Sequence, residues 1–402
     1  MKKIFCWFKP DYFLATLFLF VTISLLGLIT FNLSFFNPMK KALTDFNFSD
    51  LLYSSLNTQK EALDTNVILV NIGHLNRRQI ARQISNIRKS KPKVIGFDGF
   101  FSARRDPVTD SILRAQLYDR EDLVMACFLT GKDELTGKFD SLETSDPFFR
   151  SRLKGFVNLG GADPKSSTVR YFSPAEIFQH DTLHALAIMA AGRYHPIAVG
   201  TLLERKNDRE IINYVGNRNA FICFDADEVL DSATDLSILK DKIVLMGYMG
   251  ESFRSPPDLE DIYYTPMNPV LAGRSTPDMY GVIIHANIIH MILAGSYINK
   301  MPAWLTLLLS FVICYFYIWF ITWFKAARPM TFKAVFPVFL LLLNVLIVYI
   351  FFLLYKYSNY SIDSGYFLVP ILLFETFLTY YERILLLINR YFPISRIFLT
   401  KK

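Results

Sequence analysis

Four long apolar stretches frame a region where short apolar runs alternate with amphipathic ones. Tyr12 to Met39, Met301 to Phe324 and Ala334 to Tyr355 carry no charged residue, and each exceeds the roughly 20 apolar residues that cross a bilayer. A fourth stretch, GYFLVPILLFETFLTYY from Gly365 to Tyr381, is shorter and contains Pro370 and Glu375. The pattern predicts membrane helices at 12–34, 301–324, 334–355 and 365–381. Residues 1–11 and the tail 382–402 then flank the spans, and 35–300 forms one large domain between the first and second.

Inside 35–300 the periodicity switches repeatedly between strand and helix. NVILVNI (66–72), KVIGF, DLVMACFL (122–129) and DKIVLMGY (241–248) are short β-branched or aliphatic runs suited to buried strands. Between them, RRQIARQISNIRKS repeats Ile80, Ile84 and Ile87 at helical spacing, and SILRAQL after Asp110 predicts a short helix with that residue as its N-cap. DTLHALAIMAAGRY (181–194) and MYGVIIHANIIHMILAG (279–295) read as longer helices. Strands separated by helices predict an α/β domain with a largely parallel sheet, accompanied by four transmembrane helices, one before it and three after.

The charge distribution orients this arrangement. Of 43 basic and 36 acidic residues, 12 and 4 lie outside 34–300. The N-terminus, the loop KAARPMTFK and the C-terminus therefore carry the basic excess. They are predicted to be cytoplasmic, with 34–300 on the other side of an inner, cytoplasmic membrane. The domain itself is close to neutral, which excludes a nucleic-acid partner and leaves membrane lipid. The apolar run of the first span is long and lacks a small-residue cleavage site, so it reads as an uncleaved anchor. Cys127 and Cys223 fall in strand-like interiors and read as buried thiols rather than a disulfide.

The chemistry-bearing residues are few. Asn71, Asp98, Cys127 and Gly247 stand at the carboxyl ends of their predicted strands, where ligands gather in open parallel sheets. Asp98 there either holds a loop or helix end, or contacts a ligand. Asp258 and Asp261, in DLEDIYYTP, line the same crevice or are solvated loop acids. His285 and His290 lie five residues apart and share no helix face, so they make no metal pair. Arg77, Arg78, Arg82, Arg88 and Lys89 form a basic helix face that reads as solvated, with partner docking as the alternative. There is no G-x-S-x-G, no phosphate-binding glycine loop and no metal-spaced His/Cys set, so neither an enzyme nor a cofactor or metal is expected. Glu375 and Asn344, near the middle of their spans, are candidates for intramembrane coupling, bonded to each other or to a partner helix.

Several blocks, taken in order, resemble the CHASE type-2 extracellular sensory domain: ILVNIGHLNRRQIARQISNI, KPKVIGFDGFF, INYVGNRNAFICFDADEVL, ILKDKIVLMGYMGES and MYGVIIHANIIHMILAGSYINKMPAW. The resemblance covers about residues 45–380 and implies one preceding and three following spans. It further matches family positions at Asp98, Asp110 and His285, the last either a satisfied buried residue among isoleucines or a ligand contact, with an acidic residue at the position of Asn71 and a Trp/Pro/Arg-rich segment where GHLNRR stands. Such domains feed kinases or cyclases, whereas about 20 residues follow the last predicted span here. The expected function is a membrane sensor that relays an external signal to a separate protein partner, with a homo-oligomer as a further possibility. The alternative is a constitutive scaffold of an envelope complex.

Overall fold

The computed structural model describes residues 10–32, 63–133, 135–159, 168–256, 259–268, 276–363 and 365–391. Contacts divide the chain into two units, Met1–Leu43 with Asn299–Lys402, and Thr44–Ile298. Helix α1 (Pro10–Asn32) opens the first unit. The second runs β1 (Asp64–Asn71), α2 (Arg77–Lys89), β2 (Val94–Phe97), α3 (Pro107–Leu117), β3 (Leu123–Lys132), β4 (Phe139–Glu143), β5 (Leu153–Phe156), β6 (Tyr171–Phe172), β7 (Ala175–Phe178) and β8 (Asp181–His184). It continues with α4 (Leu186–Tyr194), α5 (Pro196–Glu204), β9 (Glu210–Ile211), β10 (Phe221–Phe224), α6 (Ala226–Leu230), β11 (Ile243–Gly247), β12 (Ile262–Tyr263), β13 (Met279–Tyr280) and α7 (Gly281–Ala294).

The centre of the sheet is parallel, in the order β10, β1, β11, β2, β3. Strand β3 serves two partners in succession. Val124 to Cys127 pair in parallel with β5, and Phe128 to Lys132 pair antiparallel with β4, which extends the sheet through β7 and β8. Side chains alternate across the central strands. Ile68, Val70, Ile95, Phe97, Val244 and Met246 face Ile80, Ile84 and Ile87 of α2 and Leu113 and Leu117 of α3. The opposite face is covered by α4 and α7. With helices on both faces, β2 and β11 are buried throughout and β1 and β3 over their apolar stretches, which is why they read as continuous apolar runs.

Local details differ from the sequence reading for identifiable reasons. Residues 181–194 are not one helix, because Asp181 to His184 pair with β7 and only Leu186 onward is helical. Met279 and Tyr280 likewise pair with β12 before α7 begins. The N-cap of α3 is Asp106, accepting from Thr109 N at 2.8 Å, with Pro107 preset for the first helical position. Asp110 sits a turn inside the helix. Its carboxylate receives Arg77 Nη1 at 2.5 Å and Arg105 N at 2.7 Å. Burial opposes the charge, but these bonds win and hold Asp110 below the usual carboxylate range. Two of the five basic residues of α2 are thus clamps: Arg77 on Asp110, and Arg88 on Asp122 and Gln116. Cys127 and Cys223 are both free, on strands four spacings or about 19 Å apart.

The first unit resumes with β14 (Asn299–Lys300), α8 (Ala303–Ala327), α9 (Pro329–Ser358), β15 (Tyr360–Ser361) and α10 (Gly365–Tyr391). Its core joins Tyr12 and Leu19 of α1 to Ile318 and Ile321 of α8, Phe336 of α9, and Ile371 and Phe374 of α10. Three helices are long and apolar enough to cross a membrane, Pro10–Leu28, Ala303–Ala327 and Val335–Ser358. Helix α10 has the length, but Glu375, Glu382, Arg383 and Arg390 interrupt its apolar surface.

The two acids of α3 carry unequal structural duties. Asp110→Ala strands the Arg77 guanidinium between Phe101 and Phe149, whereas Asp106→Ala removes an exposed cap. Thermal melts of the full-length protein are expected to fall further for Asp110→Ala than for Asp106→Ala.

Candidate functional site

The carboxyl edge of the parallel strands brings together side chains far apart in sequence. Asn71 ends β1 and is fully buried. Its Nδ2 donates to Asp225 Oδ1 at 2.9 Å and to Gly250 O at 3.0 Å, while its Oδ1 accepts from Gly73 N and Met249 N. Gln83 of α2 donates to its carbonyl at 2.9 Å. Asp225, just beyond β10, also accepts from Ser252 Oγ, Phe253 N and Ala226 N. Burial disfavours its charge, yet these donors together hold it below the usual range. The Asn71–Asp225 pair is therefore a fastener between β1, β10 and the loop after β11, with every polar atom spent on the fold.

Asp98 is built differently. It follows β2 directly, its backbone N–H donating to Met246 O at 2.7 Å. Gly247 lies beside it, and a Cβ on Gly247 would stand 2.6 Å from Cβ of Val282 and 3.2 Å from that of Asp98. Only glycine lets the first turn of α7 come this close to the sheet. Opposite, Asp261 adopts a left-handed φ of 51°. Its backbone carbonyl accepts from Gly281 N at 3.0 Å. Its carboxyl turns in toward Gly281 and pairs with the Tyr263 hydroxyl. Two carboxyls thus converge on the amino end of α7, which has no side-chain cap.

Burial, then the charge of Asp261, push Asp98 up to about 8. Burial, with Glu260 adding to it against the Tyr263 bond, pushes Asp261 up to about 6. Asp278, held by Thr265 N at 2.8 Å and Thr265 Oγ1 at 2.5 Å, is likewise raised by burial to about 6. Among the described residues the Asp98 carboxyl accepts no hydrogen bond. Beside this cluster lies a cleft of about 590 Å³ lined by Asn217, Arg218, Ser252, Phe253, Asp278 and Tyr280. Tyr248, whose hydroxyl is 3.2 Å from His74 Nε2, stands edge-on to Tyr280 of this lining.

The sequence model of the CHASE2 domain matches residues 21–327, from within α1 to the end of α8. The chain belongs to the CHASE2 family. No curated protein and no solved structure matches it. CHASE2 domains are extracellular sensory domains, and the strand-edge crevice is where this one has side chains to spare.

Within the CHASE2 fold, Asn71 and Asp98 stand at the carboxyl edge of their strands, and the loop acid Asp261 lies at the same edge. Asp258 lies outside the described residues. His285 points into the α7 interface, 2% exposed with neither ring nitrogen hydrogen-bonded, and burial lowers it to about 4. It is a neutral core residue. Cys127 stays buried inside β3, which runs on past the level of the crevice. Asn344 donates to Leu340 O of its own helix at 2.9 Å, and Glu375 lies on the exposed face of α10. No hydrogen bond joins Asn344 to Glu375. Sequence reading missed Asp225, Tyr263 and Asp278. The first sits beyond an edge strand, at the start of a five-residue helix too short to stand out. The other two derive their setting from a loop folding back.

Two outcomes follow for the full-length protein. Asn71→Asp sets a second carboxylate against Asp225 and should cost about 2–4 kcal/mol at pH 7, recovering near pH 4 as one acid protonates. Because Asp98 and Asp261 hold protons in the fold above the pKa of the unfolded chain, their contribution to stability is complete below about pH 4 and declines as pH rises toward 8. Asp98→Asn should flatten that decline and melt about 2–5 °C higher than wild type at pH 8; equal melts at pH 8 would contradict the assignment.

Proposed function

We propose that this CHASE2 protein is an integral membrane sensor. A solute or proton captured at Asp98 and Asp261 repositions α7, and the change travels along the chain into α8 and on to a separate protein partner. In this reading α1, α8, α9 and α10 are four spans of the inner, cytoplasmic membrane. Both termini are cytoplasmic, the 44–298 unit is extracytoplasmic, and its role is binding rather than catalysis.

The carrying observation is Asp98, whose carboxyl accepts no hydrogen bond among the described residues. It faces the first turn of α7, the last helix before α8. A ligand that favours one protonation state of the Asp98–Asp261 pair shifts the packing of that turn by its differential affinity for the two states. Glu375 supports the relay step. It is exposed on α10 beside Thr376, Thr379 and Tyr380, a polar stripe that lipid would not solvate and a partner helix, or a second copy, would. The same stripe suits permanent docking, which is what supports the scaffold as a second reading.

Purification of tagged protein from its native membrane in mild detergent, followed by mass spectrometry, separates the two. A stoichiometric kinase, cyclase or regulator is the result expected of a sensor; structural envelope proteins alone would establish the scaffold. Glu375→Gln should leave the melting profile unchanged and reduce partner capture about tenfold. Undiminished capture would remove Glu375 from the relay.

A further inference from the structure

The amino edge of the sheet, opposite the carboxylate crevice, is where the first described strand begins and where α7 ends. Strand β1 starts there at Asp64. Helix α7 descends to it, placing His290 Nδ1 2.5 Å from the Asp64 carboxylate. The parallel register sets Val67 beside Ile243 and Ile243 beside Val94. Lys242 and Lys93, one residue earlier in their strands, therefore stand level with Asn66, about 5 and 10 Å away. The two loops bearing them are locked together: Lys93 N donates to Lys242 O at 2.9 Å and Asp241 N to Lys91 O at 3.1 Å. Lys91 and Asp241 take left-handed φ values of 55° and 58° to close these turns.

Residues 89–93 and 240–242 carry five lysines against one carboxylate, Asp241. Lys89, Lys91, Lys93 and Lys240 are exposed and Lys242 is half-buried. Lys89 reaches Asn86 Oδ1 at 3.1 Å, and the other four make no ion pair among the described residues. A groove of about 940 Å³ opens from this edge along α2, adding Arg78 and Arg82 to Lys89, Lys91 and Lys240, five cations against the two carboxylates Asp231 and Asp235 on its other wall. Eight residues separate Ala294 of α7 from Ala303 of α8, a tether that spans at most about 30 Å.

We propose that this lysine edge docks onto anionic lipid headgroups of the membrane that α8 enters. The proposal rests on α8 being a membrane span. The tether holds the edge within reach of the headgroups, and lysine, a flexible point charge, suits phosphates of variable position. Each lysine near an anionic surface strengthens attachment about fivefold. The opposite edge carries the Asp261 and Asp278 carboxylates, which the same surface repels at neutral pH, so the domain is electrostatically polar and presents its crevice to solvent.

The test uses the full chain in nanodiscs of zwitterionic lipid, with or without about one-third anionic phospholipid. Amine-reactive labelling is read at each lysine by mass spectrometry. Labelling of Lys91, Lys93 and Lys240 is expected to slow at least about threefold in the anionic discs and to recover at high salt. Lys138, in the hairpin at the far edge, is expected to be unchanged. The substitutions K91Q, K93Q and K240Q together should reduce co-purifying anionic lipid while leaving the melting profile intact. Equal labelling in the two discs, with the chain retained, overturns the docking alone. A chain not retained overturns the span reading and the proposal with it. Equal protection by millimolar inorganic phosphate in zwitterionic discs assigns a free-anion site and overturns the lipid reading.

Discussion

The carboxyl edge of this domain depends on the approach of α7 to β11. Gly247 has no Cβ, and the space one would occupy is filled by Val282. That contact fixes the amino end of α7 above β2 and β11, brings Gly281 under the Asp261 carboxyl, and leaves Asp98 half-buried against the same turn. A larger residue at 247 displaces the helix, and with it the geometry of both acids.

Around that contact the polar groups divide into two kinds. Asn71 and Asp225 have donors for every acceptor, so their charge and dipole are committed to holding β1, β10 and the 248–253 loop. An acid in place of Asn71, which family resemblance suggested, would face Asp225; the amide supplies a donor where a carboxylate would supply a second charge. Asp98 and Asp261 are arranged the other way. Both carboxyls are crowded by burial; Asp261 has only the Tyr263 hydroxyl to offset it, and that of Asp98 accepts no hydrogen bond among the described residues. Unspent polar groups at the end of a rigid parallel sheet are a reservoir of binding energy.

The membrane-type unit shows a related economy. Its interior is aromatic and aliphatic, with Tyr317 against Phe374 and Phe351 against Phe367. Its outward surfaces on α1, α8 and α9 are largely apolar. Helix α10 departs from this, turning Glu375 outward while its apolar face packs inward.

The sequence by itself determined the strand-and-helix alternation, the parallel core and three apolar helices, because burial on both faces forces continuous apolar runs and a bilayer demands long ones. It also placed Asn71 and Asp98 at one edge, since strand ends are visible in sequence, and left Asp261 open between that crevice and solvent. Tertiary structure alone decided what each does. The isoleucines around His285 already pointed to a core residue, and its buried, unbonded ring leaves it there, whereas Asp110 had to meet Arg77 to be distinguished from the cap at Asp106. The short strand at 181–184 exists only through pairing with β7, and Tyr263 and Asp278 reach the crevice only because a loop returns across it. A side chain's charge state and duty are set by what lies within a few ångströms, and at these positions the neighbours come from distant parts of the chain.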